Sequence, residues 1–286
     1  LDGLYPTYKI IKHTKNLAIA NKESIICAWN LINKELVKNK TRFIPVDSEH
    51  FSIWYALKDN SNTTIEKIYL TASGGPLLNI PNYKFDNLKI EKVLKHPNWR
   101  MGKKISVDSS TMMNKVFEII EAKKIFNLDY NKLSILIHPK SYLHAIIKFN
   151  NGMIKIIAHD TTMEIPIFNT LYGDSGKKYK SEKLNLKKLN NLHLRVINNK
   201  KFPLINLIKN LPKNNSLFET VIVSANDELV NLFLKKRIKY SEISYNLLKI
   251  INMIEFKKMK KINPKKISDI LNLNFYVRNK IINTLK

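Results

Sequence analysis

The sequence is short of four things. It has one cysteine, Cys27, in 286 residues. That excludes an intramolecular disulfide and a cysteine-built zinc centre, and it fits a reducing compartment. It has seven glycines, at 3, 74, 75, 102, 152, 173 and 176, and no three of them fall into G-x-G-x-x-G or a Walker loop. It has no run of about 18 apolar residues, so no transmembrane helix is expected. Acid is also scarce: 23 Asp plus Glu stand against 49 Lys plus Arg, a formal charge of +26.

What is there is otherwise ordinary. Hydrophobic residues make up 44% and charged residues 25%, the profile of a globular chain long enough for roughly two domains. The chain opens on Leu1 without a charged and apolar leader, and reads as a fragment or a processed chain. The basic excess points first to nucleic acid or an anionic surface. Two stretches are densest: residues 177–201 hold nine Lys and Arg against Glu182, and residues 257–266 hold six lysines and no acid. Neither is interleaved with base-stacking aromatics or carries an RNA-binding or zinc-finger pattern. Both read as solvated faces, with a general attraction to anions such as phosphorylated substrates.

The pattern predicts alternating elements: helix over 5–13, strand over 17–20, turn at 21–24, helix over 25–37, strand over 41–46, helix over 51–57 and strand over 68–71. A short strand is expected at 105–107. A helix over 112–126 follows, capped by Ser109, Ser110 or Thr111. Strands are expected at 133–138, 145–149 and 153–158, with a turn at 150–152. Residues 169–199 read as a polar linker with little regular structure. From 202 the spacing is helical, with Ile243, Leu247, Ile250, Ile251 and Ile254 on one stripe and separate helices over 267–271 and 275–285.

Several residues could carry chemistry. Asp47 and Glu49 stand two apart at a strand end, where an extended chain would turn both carboxylates to one face. Glu118 shares a helix face with Asn114 and Lys115. Three carboxylates without cysteine suit Mg²⁺ or Mn²⁺ better than zinc; the plain alternatives are solvated acids and an exposed Lys115–Glu118 pair. Ser109 and Ser110 before a helix, and Ser73 beside Gly74-Gly75, offer donors to an anion, with His96 and Lys115 as added positive charge. Trp99, in a loop flanked by Pro97 and Gly102, suits either a lid or a core anchor. His138 and His144, six apart, fit structural histidines better than a helical ligand pair.

Read together, these segments resemble the 1-deoxy-D-xylulose 5-phosphate reductoisomerase family. The resemblance is carried by Ala20-Asn21-Lys22-Glu23-Ser24, Pro45-Val46-Asp47-Ser48-Glu49-His50, Ser73-Gly74-Gly75-Pro76, Lys95-His96-Pro97-Asn98-Trp99, Gly102 with Lys104-Ile105-Ser106-Val107-Asp108-Ser109, and Thr111-Met112-Met113-Asn114-Lys115 with Glu118. It is dense from about 17 to 149 and thinner in the C-terminal helices, where Ala225-Asn226-Asp227-Glu228 fits.

The resemblance implies an α/β and α+β multidomain fold. Residues 1–37 would be the tail of a Rossmann-like NADPH-binding domain, 38–168 a central mixed α/β catalytic domain with a sheet, 169–199 a linker and 200–286 a helical bundle. It implies metal-dependent isomerisation and NADPH-dependent reduction of the sugar phosphate to 2-C-methyl-D-erythritol 4-phosphate, in a cytoplasmic homodimer without nucleic-acid or membrane partners. Asp47, Glu49 and Glu118 would hold Mn²⁺ or Mg²⁺, with Glu49, Lys22 and Lys115 as catalytic groups. Ser48, Ser73, His96, Trp99, Ser109, Asn114, Lys115 and His144 would bind substrate. Asn21, Lys22, Glu23, Met101 and Gly102 would lie against the cofactor.

There are departures. Thr161-Thr162-Met163-Glu164 stands where the family has Pro-Asp-Met-Arg, and Val116-Phe117 where it has Gly-Leu. The family's glycine-rich loop has no counterpart in the chain, so the chain alone is expected not to reduce its substrate. A non-catalytic phosphosugar- and metal-binding descendant is the alternative, and a basic nucleic-acid-binding protein the remote one.

Overall fold

The computed structural model describes residues 1–58, 64–173 and 175–285, so residue 174 of the expected linker lies outside the described residues. Its opening unit is a helix, α1 (Leu4–Ile10), followed by β1 (Asn16–Ile19), α2 (Lys22–Lys38) and β2 (Arg42–Pro45). Strands β1 and β2 pair in parallel, Asn16 opposite Arg42 and Ile19 opposite Pro45. Parallel neighbours need a crossover, and α2 supplies it. The pairing reaches across residue 37, so that expected boundary separates two hydrogen-bonded strands.

Helix α3 (Ser48–Leu57) and strand β3 (Ile65–Ala72) come next, then α4 (Ile90–Leu94), α5 (Lys103–Thr111) and α6 (Met113–Phe126). Strands β4 (Leu133–Ile137), β5 (Leu143–Phe149) and β6 (Ile154–Ala158) are followed by α7 (Glu164–Tyr172), α8 (Leu186–Leu189) and the two-residue strand β7 (Arg195–Val196). Five strands form one mixed sheet in the order β6-β5-β3-β4-β7. Only β3 and β4 run parallel in it. Helix α3 packs on β5 and β6, and α6 on β3 and β4.

The chain closes with α9 (Phe218–Leu234), α10 (Tyr240–Ile251), α11 (Ile254–Lys257) and α12 (Ile267–Thr284). Helix α9 is buried nearly all round, which marks a central helix. It touches α10, α12, α2 and α5. A single hydrophobic cluster therefore runs from Leu4 through Ile68 and Phe117 to Ile281.

Four local expectations fail for identifiable reasons. Residues 105–107 are not a strand but lie inside α5: Val107, Ser110 and Thr111 are buried at helical spacing, and extended Gly102 opens the helix. Met112 adopts φ 64°, a left-handed conformation uncommon for a side-chain-bearing residue, and breaks α5 from α6. Ser109 to Thr111 therefore end α5, and of the three expected caps Thr111 does reach α6, its Oγ1 accepting from the Met113 N–H at 3.3 Å. Residues 22–24 open α2 instead of forming a turn, with Asn21 at the N-cap and its amide 2.6 Å from the Ser24 hydroxyl. Ile254 leaves its stripe and is exposed, because it starts the separate helix α11, while 267–285 is one helix through Thr284.

Candidate active site

The chemistry-bearing residues gather where strands end. Lys22 follows β1, Asp47 to Glu49 follow β2, and Ser73 to Gly75 follow β3. The carboxyl ends of parallel strands are where α/β folds bind ligands. Helix α6 lays Asn114, Lys115 and Glu118 across the same place, β5 contributes His144, and the segment between α4 and α5 brings His96, Trp99 and Met101. With the exception of Gly75, they line a cavity of about 270 Å³.

Asp47, Glu49 and Glu118 do converge: one oxygen from each falls within 4.8 Å of the others. The reason differs from the extended-strand expectation. Asp47 is the N-cap of α3 and Glu49 lies in its first turn, so a helix start makes the pair. Two ammonium groups bind the three carboxylates. Lys22 Nζ is 2.5 Å from Asp47 Oδ2, 3.5 Å from Glu118 Oε1 and 3.0 Å from Asn114 Oδ1. Lys115 Nζ is 2.6 Å from Glu49 Oε1 and 2.5 Å from Glu118 Oε2, and it donates to the Thr71 carbonyl at 2.6 Å. Asn114 also donates to Glu118 Oε1, and Ser48 to Glu49 Oε2 at 2.5 Å.

The Lys115–Glu118 pair is thus buried, not exposed; the two residues are 5% and 1% accessible. Burial and the charge of Glu49 push the Glu118 carboxyl up to about 8. Against its own burial, Lys115 holds Glu49 well below the usual carboxylate range. Lys22 and Lys115 are buried too, yet their carboxylate neighbours raise both above the ordinary lysine value.

The serine–histidine side has a readable proton arrangement. His96 Nδ1 accepts from the backbone N–H groups of Asn98 and Trp99, at 3.2 and 3.0 Å. Its proton therefore sits on Nε2, which donates to Ser73 Oγ at 3.0 Å. Gly75 N–H donates to the same oxygen at 3.0 Å. With two donors already on that oxygen, the Ser73 O–H is left to donate outward. Burial pulls the His96 pKa down to about 4, so this ring is neutral near pH 7 rather than an added positive charge. Gly75 sits at φ 67°, and a Cβ there would stand 2.7 Å from the Ser109 carbonyl. Only glycine lets the Ser73 loop come this close to the last turn of α5.

Trp99 is half-buried in the loop, not a core anchor. It meets the His144 ring edge-on at 6.3 Å and 72°. Asn98 docks the loop by donating to the Pro139 carbonyl at 2.6 Å and to Ser141 Oγ at 2.8 Å. His138 does not line the cavity; its ring is bonded to the Leu192 carbonyl at 2.5 Å.

Three expected site residues are not in the lining. Asn21 is engaged with Thr7 and Ser24, Glu23 with Lys104 at 2.7 Å, and Gly102 caps α5. Others were not foreseen. Ser141, Arg100 and Met163 line the cavity. Glu121 and His50 form a second group with Asp47: His50 Nδ1 is 3.3 Å from Glu121 Oε2 and 3.9 Å from Asp47 Oδ2, and Nε2 donates to the Glu118 carbonyl at 2.9 Å. The signal for Glu121 was available, since it stands three residues after Glu118 on one helix face.

An all-carboxylate cluster beside an outward hydroxyl donor, at the end of parallel strands, suits α/β proteins that hold a hard divalent cation next to an anionic substrate. Comparison with known proteins narrows that class. Residues 43–126 match the 1-deoxy-D-xylulose 5-phosphate reductoisomerase C-terminal domain, 160–280 the DXP reductoisomerase C-terminal domain, and 1–29 the 1-deoxy-D-xylulose 5-phosphate reductoisomerase family. The Pelagibacter ubique 1-deoxy-D-xylulose 5-phosphate reductoisomerase is 61% identical over 280 residues, 98% of this chain and 72% of the relative. The Sulfurihydrogenibium enzyme of the same name is 37% identical, covering 99% and 72%. A solved DOX-P reductoisomerase in complex with NADPH, fosmidomycin and magnesium superimposes with a TM-score of 0.90 at 28% identity, covering 99% of this chain and 73% of the other. The Zymomonas mobilis enzyme in complex with NADPH gives 0.86 at 28%, covering 99% and 72%. The chain belongs to the 1-deoxy-D-xylulose 5-phosphate reductoisomerase family, an enzyme family of the non-mevalonate isoprenoid pathway, and its mixed α/β fold is that of the family.

Proposed function

We propose that this cavity is the metal and substrate site of the reductoisomerase reaction, with a phosphorylated sugar as substrate and Mg²⁺ or Mn²⁺ and NADPH as cofactors. The observation that carries it is the convergence of Asp47, Glu49 and Glu118 within 4.8 Å. The donor set fits a hard cation: three carboxylates, no sulfur, and one carboxyl that burial keeps protonated without a cation. Asp47, Glu49 and Glu118 would hold the ion, which when bound polarises a carbonyl oxygen as a Lewis acid.

The chain's own groups do the rest. Lys115 keeps Glu49 ionised, Lys22 pairs with Asp47, and both ammonium groups stand within reach of a substrate hydroxyl as catalytic groups. Ser48, Ser109 and Asn114 offer hydrogen bonds around them, and Ser73 gives its outward proton to a phosphate oxygen. His96 orients that serine, His144 lines the cavity against Trp99, and Trp99 covers the opening and excludes water.

For NADPH the described residues supply an edge rather than a cradle. Lys22 and Met101 line the cavity, but Asn21 and Glu23 are committed to protein partners. The hydride donor is therefore named by family. The chain by itself is expected to bind Mg²⁺ and fosmidomycin without oxidising NADPH when given 1-deoxy-D-xylulose 5-phosphate. Substrate-dependent loss of NADPH absorbance at an ordinary enzymatic rate would contradict that expectation.

The four-part division at 37, 168 and 199 is kept as a working proposal, with β2 tied to the first part, α7 running across 168, and β7 of the linker paired into the central sheet. The proposed setting is the cytoplasm; no helix among the described residues is long and apolar enough to cross a membrane. A homodimer is supported by β6, an edge strand of the sheet with Ile154 and Ile156 both about half exposed on one face. Apolar edge strands invite pairing with a second chain. Ile156→Lys is expected to convert a dimer to a monomer in light scattering, and an unchanged mass would exclude β6 from the interface.

A further inference from the structure

One residue beside the cavity belongs to none of the motifs. His159 follows β6, and its imidazole lies flat on His144, with ring centroids 3.7 Å apart and planes 12° from parallel. The backbone carbonyl of His159 stands 3.3 Å from His144 Nε2. A carbonyl only accepts, so Nε2 of His144 carries the proton. Burial, with His159 alongside, pulls the His144 pKa down to about 3, so the ring is neutral and its Nδ1 is a bare acceptor. His159 is itself fixed. Its backbone N–H donates to the Tyr142 carbonyl at 3.1 Å, and its Nδ1 to the Asp160 carbonyl at 2.8 Å. Trp99 meets the same His144 ring edge-on. Three rings thus stand in series, from the sheet edge to the loop over the cavity.

We propose that His159 is a positioning residue of this site: it sets the plane and tautomer of the His144 ring and, through it, the resting place of Trp99. The inference rests on reading the cavity as the substrate site. Its two contributions are separable, because the carbonyl survives any substitution while the stacked ring does not.

The test compares His159→Ala with His159→Phe, which keeps a ring to stack on. With Mg²⁺ present, H159A is expected to bind fosmidomycin three- to tenfold more weakly, the range an aromatic stack supplies. H159F is expected to stay within about twofold of the parent. In the ligand-free protein, the His144 ring-proton resonances are expected to keep their ring-current displacement in H159F and lose it in H159A. Acrylamide quenching of Trp99, read against W99F, is expected to rise in H159A alone. H159A binding as tightly as the parent, or H159F as weakly as H159A, would overturn the proposal. If the parent itself binds no fosmidomycin, the reading of the site fails, and the resonance and quenching arms alone decide whether His159 places the two rings.

Discussion

Lys115→Met is expected to destabilise the metal-free protein by about 3–5 kcal/mol, the cost of removing one partner from a buried ion cluster. The ammonium of Lys115 touches Glu49, Glu118 and the Thr71 carbonyl, all within 2.6 Å. Methionine fills the same volume but leaves two buried carboxyls facing each other with one cation fewer. Thermal unfolding should register a fall of roughly 10 °C for a chain of this size. Because a divalent ion replaces the missing charge, Mg²⁺ should recover part of the loss, and more of it in the variant than in the parent. A melting temperature within a degree of the parent, with no added response to Mg²⁺, would show that Lys115 does not neutralise the cluster.

Glu118→Gln has the second large effect. It is expected to lower divalent-ion affinity by ~100-fold or more, since even outer partners of metal ligands cost 10- to 100-fold when lost. A second signature follows from protonation. Burial holds the Glu118 carboxyl at about 8, so in the parent its proton must leave before the carboxylate can bind an ion. Parent affinity should therefore climb as pH rises towards about 8 and flatten above it. The same raised value makes the metal-free fold less stable as pH rises through that window, because the unfolded chain gives up the proton from about 4.5 upward. In E118Q both dependences on this group should vanish. Isothermal titration at several pH values separates these outcomes, and an E118Q variant that keeps the parent's affinity and pH slope would remove Glu118 from the ligand set.

Much of the site was legible because its residues lie in short, ordered segments. Asp47-Ser48-Glu49 and Asn114-Lys115 with Glu118 carry their spacing in the sequence, and the structure brings these residues to one cavity. The strand order β6-β5-β3-β4-β7 was not legible, since pairing across 65 to 84 residues, as between β3 and its neighbours β4 and β5, leaves no local periodicity. Helix α5 was missed because Ile105 and Val107 look like an alternating strand, while the decisive burial of Val107, Ser110 and Thr111 is a tertiary fact. The break at Met112 had no glycine to announce it. His96 was misjudged as a source of positive charge because its neutrality comes from burial under a loop. His159 was invisible for the same kind of reason: only the register of β5 and β6, Leu143 opposite Ala158, sets its ring on His144.

The basic excess takes a smaller part than its size first suggests. Its densest stretches, 177–201 and 257–266, line none of the cavity, whereas three of the scarce acids, Asp47, Glu49 and Glu118, meet Lys22 and Lys115 there.

The most direct measurement is fosmidomycin binding to the parent chain, titrated in Mn²⁺ and again in EDTA, with Asp47→Asn, Glu49→Gln and Glu118→Gln alongside. The expected result is one Mn²⁺ per chain, fosmidomycin bound only when that ion is present, and both lost in each carboxylate variant. Equal fosmidomycin binding in EDTA, or Mn²⁺ binding that all three variants retain, would contradict a metal site built from Asp47, Glu49 and Glu118.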